Sequence, residues 1–349
     1  MMSKESVRRA IELFHTLPND VIVATFPKTG TTLVCWICHL LRTGAYDDAS
    51  ASAPPPSSGE GRTFSSIQGF ETLYEVVPWP MLSWDIGIDP NVHGSEFTPR
   101  VFKSHLRMAS IYSGCKYVVT VRDVGKTALS FYNFFISKRV PFLVDANYNH
   151  DKNGSDTEDK LLMDLSTFLV DTPFVRGCPQ TTSTSDLRAS IWEYYVEYHA
   201  LMECPSVLML VYEDFIGDEE VRKDNIRRLG NFMGVFDDDG VGNNNNNTDN
   251  NEELIDRIAS MSTKPYMANH MSKFDEPYER AATLNRAADI SQLAPGAKVA
   301  LKTHTQTYND RAVHFLEEQW RESMGVLGYK DYDSFCVAIR KRNEKLFGY

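Results

Sequence analysis

The residues best suited to chemistry stand where short apolar runs give way to polar ones. The first group is Pro27 to Thr32, P-K-T-G-T-T, directly after the apolar run Val21 to Phe26. Pro27 cannot donate to a strand ladder and ends the run. Lys28 brings a full positive charge, and Gly30 allows a tight turn. Thr31 and Thr32 open an apolar segment, Leu33 to Leu41, that reads as a helix. Backbone N–H groups and the positive end of that helix converge on the turn. It is a cradle for a phosphate or a phosphate-like group. Lys103, Ser104 and His105 form the second group, Arg122 with Ser130 the third, and Tyr212, Glu213 and Asp214 the fourth. A nucleoside-triphosphate loop needs its Lys after the second Gly, followed by Ser or Thr. Here Lys28 precedes Gly30, and Asp214 is the nearest candidate for a Mg²⁺-binding acid. The short turn suits one terminal phosphate or sulfate.

The elements that position these groups alternate. Val21 to Phe26, Arg100 to Ser104, Lys116 to Val121 and Ser206 to Tyr212 read as buried strands. Leu33 to Leu41, Val124 to Ile136, Asp186 to Met202, Glu219 to Met233, Glu252 to Met261 and Asp310 to Met324 read as helices. This alternation predicts an α/β fold, a central parallel sheet of four or five strands with helices on both faces. Ligands in such sheets sit beyond the carboxyl ends of the strands, where all four groups stand. Flexible loops are expected near 45–61, 140–159 and 237–251, within a single domain spanning 1–349. The aromatic stretch Phe64 to Ile88, with Phe70, Tyr74, Trp79 and Trp84, either lines an apolar pocket or packs over the core.

Composition narrows the partners. The chain has 349 residues, 42% hydrophobic and 24% charged, with a net charge of −11. That balance argues against nucleic acid or an anionic membrane surface as a partner, so an anionic ligand needs a local cluster of Lys and Arg. No uncharged apolar run is long enough to span a membrane. The first residues read as a short amphipathic helix rather than a signal peptide. Six Cys are too sparse for a disulfide scaffold, and the expected location is cytoplasmic. Cys35 and Cys38 have CxxC spacing but read as two small apolar residues on one helix, with no second pair to complete a metal site. Asn153 and Asn246 sit in glycosylation-type triplets that matter only in a secreted chain.

Taken together, P-K-T-G-T-T at 27–32, F-K-S-H-L at 102–106, V-R-D-V-G-K-T-A-L-S-F-Y-N-F-F at 121–135, L-V-Y-E-D at 210–214 and M-A-N-H at 267–270 resemble the soluble sulfotransferases. Those enzymes use 3′-phosphoadenosine 5′-phosphosulfate. The resemblance runs from about Val21 to Asn269. It implies that Lys28, Thr29, Gly30, Thr31 and Thr32 bind the 5′-phosphosulfate and that Lys28 stabilises charge on the bridging oxygen. It implies that Arg122 and Ser130 hold the 3′-phosphate, a task suited to the planar fork of Arg. His105 becomes the general base toward an acceptor hydroxyl, with Lys103 steadying the sulfuryl oxygens. Tyr212 and, from the helix before M-A-N-H, Ser260 fall near the adenine. The expected product is adenosine 3′,5′-bisphosphate, and no metal takes part.

The chain departs from the family pattern in two places. Leu33 stands where the family usually carries a Trp against the adenine. The family's Arg-Lys-Gly segment has no clean match; Pro295 to Lys298 is nearest, which makes Lys298 the candidate second 3′-phosphate ligand and Lys302 the next. Lys302 to His304 repeats the K-x-H pattern without a preceding strand and reads as a decoy. The implied acceptor is a small, partly apolar molecule with a hydroxyl or amine. A homodimer is allowed by the resemblance, although no clear counterpart of the family's C-terminal dimer segment is present. Two alternatives stay open: a P-loop kinase-like enzyme, and a non-catalytic binder of adenosine 3′,5′-bisphosphate.

Overall fold

The computed structural model describes residues 3–45, 70–92, 97–137, 163–177, 189–236, 246–275 and 306–348. Four strands, β1 (Val21–Ala24), β2 (Val101–Ser104), β3 (Lys116–Val121) and β4 (Val207–Val211), pair in the order β2-β1-β3-β4. Every pairing is parallel, with Val21 opposite both Val101 and Lys116. The longer helices are α1 (Lys4–Leu13), α2 (Thr31–Thr43), α3 (Val124–Ser137), α4 (Leu165–Asp171), α5 (Ile191–Ala200), α6 (Glu219–Met233), α7 (Asn246–Met261), α8 (Asp310–Ser323) and α9 (Tyr332–Phe347).

Alternate strand residues face opposite layers, as the pleat requires. Ile22, Val119, Val121, Met209 and Val211 join one core with residues of α1, α3, α5 and α9. Val21, Val23, Val118, Leu208 and Leu210 join a second core with α2, α6 and α7. The sheet is therefore covered on both faces, as its uninterrupted apolar strands predict. Cys35 and Cys38 lie buried in the second core.

Several boundaries differ from the sequence reading. β1 closes at Ala24, because Thr25 and Phe26 already serve the turn. α5 starts at Ile191 rather than Asp186, set by a capping box between Ser190 and Glu193. The expected loop at 237–251 is corrected at its end: 246–251 belong to α7. Ile255, Ile258 and Met261 form a one-turn-spaced stripe that buries against the second core, and Asn and Asp are well tolerated where such a helix begins. Residues 46–61, 140–159 and 237–245 lie outside the described residues, as do Asn153, Lys298 and Lys302 to His304.

The sequence reading has no counterpart of α9. This helix covers the exposed edge of β4. Arg342 donates to the carbonyls of Met202, Cys204 and Val207 at 2.9, 2.6 and 2.5 Å, and Asn343 donates to Met209 at 2.6 Å. The bonds to Val207 and Met209 satisfy an edge that would otherwise present unpaired carbonyls, and those to Met202 and Cys204 fasten the turn leading into it. Burial lowers the Arg342 pKa to about 10, so it stays charged near neutral pH. Arg342→Met should reduce the unfolding free energy by about 3 kcal/mol, since buried carbonyls lose their partners. Urea denaturation checks this; a loss below about 1 kcal/mol would show that the edge finds other donors.

Candidate active site

The turn between β1 and α2 carries two residues with positive φ, Lys28 at 70° and Gly30 at 111°. The left-handed region costs a side-chain-bearing residue about 1–2 kcal/mol, so Lys28 must be held there. Gly30 is also the N-cap of α2 and makes no side-chain capping bond. By contrast, Ser3, Ser190, Asp218, Asn309 and Asp331 cap α1, α5, α6, α8 and α9 with their side chains. The first N–H groups of α2 are thus left to an outside acceptor, at the positive end of the helix dipole.

Two of the expected hydroxyl ligands turn inward instead. Thr29 Oγ1 donates to the Phe26 carbonyl at 2.7 Å and meets Thr120 Oγ1 at 2.9 Å. Thr31 Oγ1 pairs with Thr25 Oγ1 at 2.5 Å. Both side chains are buried and fasten the turn to the sheet, so Thr29 and Thr31 can offer a ligand only their backbone. Thr32 is half-buried at the start of α2.

The ends of β2, β3 and β4 all reach this turn. After β2, His105 Nδ1 lies 2.9 Å from the Thr25 carbonyl. A carbonyl only accepts, so Nδ1 carries the proton and Nε2 the lone pair in the neutral ring. Trp79 meets the His105 ring edge-on at 5.0 Å. Lys103 is only 4% exposed. Its ammonium donates to Tyr74 Oη at 2.7 Å and lies over the Tyr74 and Trp79 rings at 4.7 and 4.4 Å. The aromatic stretch thus packs on Lys103 inside β2 and on His105 just after it, with cation–π attraction supporting a buried charge. Lys28 Nζ lies 4.3 Å over the Phe134 ring.

After β3, Arg122 Nη1 donates to the Lys28 carbonyl at 2.8 Å, which holds Lys28 in its strained conformation. Arg122 Nε is buried without a hydrogen-bond partner among the described residues. An ion pair with the adjacent Asp123 does not take up this side chain, because Asp123 instead accepts from the Lys126 amide at 2.7 Å in the first turn of α3. After β4, the Tyr212 ring lies 4.4 Å from the Arg122 guanidinium and packs against Gly30, where a Cβ would come within 2.5 Å of Tyr212 Cδ2. Asp214 forms a two-bond pair with Arg340, at 2.7 and 3.0 Å. Glu213 accepts from the Asp123 amide and from Tyr332 Oη at 3.2 and 2.6 Å. The acids after β4 are committed to structure, and no group of acids, His and Cys able to hold a metal occurs among the described residues.

One contributor had no local signature in sequence. Tyr195 Oη, from α5, accepts from the Arg122 amide at 2.9 Å and donates to the Arg122 carbonyl. Burial pushes its phenol well above the ordinary pKa, so it remains a donor. Among the described contacts, Ser130 and Ser260 make none to the turn. Ser130 is half-buried on α3, and Ser260 is exposed near the end of α7 with its hydroxyl on the Arg257 carbonyl at 2.7 Å. Trp36 is buried and donates to the Met261 carbonyl at 3.0 Å, so it serves the core and not a ligand base.

A family model of the sulfotransferase domain matches residues 18–285, which include every strand and the whole turn. The chain belongs to the sulfotransferase family. Human sulfotransferase 1E1 is 25% identical over 323 residues, 90% of this chain and 87% of that one. Dog sulfotransferase 1B1 is 29% identical over 130 residues, 36% of this chain and 38% of that one. Among solved structures, mouse sulfotransferase SULT7A1 complexed with PAP superposes with a TM-score of 0.50 at 14% identity, over 96% of this chain and 94% of that one. A retinol dehydratase in complex with androsterone and inactive cofactor PAP gives 0.51 at 16%, over 93% and 86%. These structural likenesses carry the sulfotransferase fold. No described helix is long and apolar enough to cross a membrane.

Proposed function

We propose that the chain transfers a sulfuryl group from 3′-phosphoadenosine 5′-phosphosulfate to a hydroxyl or amine of a small, partly apolar acceptor. One observation carries this reading: three strand ends converge on one anion-binding turn, through His105 on Thr25, Arg122 on Lys28 and Tyr212 on Gly30. The uncapped start of α2 and the Lys28 ammonium suit the 5′-phosphosulfate. The orphaned Arg122 Nε suits one oxygen of the 3′-phosphate, with Ser130 and Lys298 as its further ligands. Ser260 Oγ donates to Arg257 and keeps its lone pairs for an adenine amino group.

His105 Nε2 takes the proton from the acceptor as its oxygen or nitrogen attacks sulfur in line. The bond from sulfur to the bridging oxygen breaks, and its electron pair stays on the leaving bisphosphate. Lys28 and Lys103 stabilise the charge that builds on the bridging and sulfuryl oxygens. Free thiols at Cys35, Cys38, Cys115, Cys204 and Cys336 support a cytoplasmic site of action.

The test is a screen of small hydroxyl and amine acceptors with ³⁵S-labelled donor, following labelled product and adenosine 3′,5′-bisphosphate together. Equal amounts of both are expected, and turnover should persist in excess EDTA because Lys28, Lys103 and Arg122 supply the cationic charge. Mg²⁺-dependent ATP consumption without sulfated product would favour the kinase-like alternative. Bisphosphate binding with no transfer to any acceptor would favour the binding protein.

A further inference from the structure

We propose that Tyr195 is a positioning residue for donor recognition, clamping the backbone of Arg122 so that one guanidinium serves both the 3′-phosphate and the strained turn. The inference rests on the reading of Arg122 as a 3′-phosphate ligand. Arg122 is the first residue beyond β3, where the sheet no longer dictates the backbone. There the Tyr195 hydroxyl supplies both missing partners, accepting from the Arg122 amide and donating to its carbonyl. Tyr195 is itself fully buried, with its ring against Tyr198 and Phe335, so the clamp is fixed by the core.

The guanidinium beyond it is held from two more sides. Its face lies on the Tyr212 ring, and Nη1 is committed to the Lys28 carbonyl. What remains is the edge bearing Nε, which is buried and has no hydrogen-bond partner among the described residues. A buried N–H left unmatched is costly, and a phosphate oxygen removes that cost. The arrangement makes the 3′-phosphate subsite and the Lys28 turn a single unit. Displacing Arg122 weakens the grip on the 3′-phosphate first and loosens Lys28 second.

Calorimetry on the full chain, well below its melting temperature, tests this with adenosine 3′,5′-bisphosphate and adenosine 5′-phosphate. Tyr195→Phe should weaken the bisphosphate about tenfold or more, the loss of one charge-assisted bond, and the 5′-phosphate by less than about threefold. The ratio of the two affinities is the readout, since a general loss of structure weakens both ligands alike. Tyr212→Leu, which removes the platform under the guanidinium, should lower the ratio in the same direction and decides the matter if Tyr195→Phe does not fold. Arg122→Ala should abolish the preference for the bisphosphate. If it does so while both tyrosine variants keep the ratio within about twofold of wild type, the positioning role is overturned and the phosphate site stands. If Arg122→Ala leaves the ratio unchanged, the 3′-phosphate assignment falls and this inference with it.

Discussion

His105→Ala should lower turnover about 10³-fold, within the range for losing a general base, while adenosine 3′,5′-bisphosphate still binds within about twofold of wild type. The asymmetry follows from where the ring is anchored. Nδ1–H is held by the Thr25 carbonyl at the close of β1, and Trp79 presses the ring edge-on. These contacts fix a single tautomer and aim Nε2, but neither belongs to the turn's own N–H groups or to Arg122. Removing the imidazole therefore deletes the proton acceptor and leaves the anion cradle intact. His105→Asn sharpens the experiment, because its amide can still donate toward Thr25 and cannot accept a proton. If His105 acts as the base, both variants fall alike in single-turnover assays. If His105→Asn keeps turnover within about tenfold of wild type, the ring only braces the turn, and general-base catalysis by His105 is wrong.

The sheet was legible because buried parallel strands are continuous apolar runs. Lys116 to Val121 and Glu219 to Met233 have the same bounds in sequence and structure. The candidate site was legible to the extent that its residues stand at strand ends, Lys103 inside β2 and His105, Arg122 and Tyr212 directly after β2, β3 and β4. What escaped was set by side-chain pairings that no periodic pattern encodes, most of them with partners far away in sequence. Helix α9 hides its apolar stripe because two of its buried positions are Arg342 and Asn343, chosen to satisfy β4 carbonyls rather than to fill space. The inward turn of Thr29 and Thr31 depends on Thr120 and Thr25, and the clamp on Arg122 depends on a tyrosine 73 positions on. No local pattern encodes these bonds. The Asn-rich approach to α7 misleads for another reason: its polar residues are compatible with a helix start, and the stripe that stabilises the helix lies downstream at Ile255 and Ile258.

Gly30→Ala should cost about 2–4 kcal/mol of stability and more than about tenfold in bisphosphate affinity, through two separable effects. The first is intrinsic: at φ 111° an alanine pays about 1–2 kcal/mol that glycine does not. The second is steric. The new Cβ would lie 2.5 Å from Tyr212 Cδ2, and the obstacle is a ring carrying the Arg122 guanidinium on its face rather than the loose tip of a side chain. Moving that ring disturbs Arg122, and through it the hydrogen bond from Nη1 to the Lys28 carbonyl that holds the turn. Tyr212→Leu in the Gly30→Ala background should relieve the steric part and leave the backbone part. The double variant should then be more stable than the sum of the single losses predicts, by more than about 0.5 kcal/mol. Bisphosphate affinity should not recover, because the guanidinium has lost its platform. Additive losses in thermal denaturation would mean that the turn is shaped by glycine's backbone freedom alone, with Tyr212 a bystander. Coupled losses would mean that the turn, the aromatic ring and Arg122 are one packed unit.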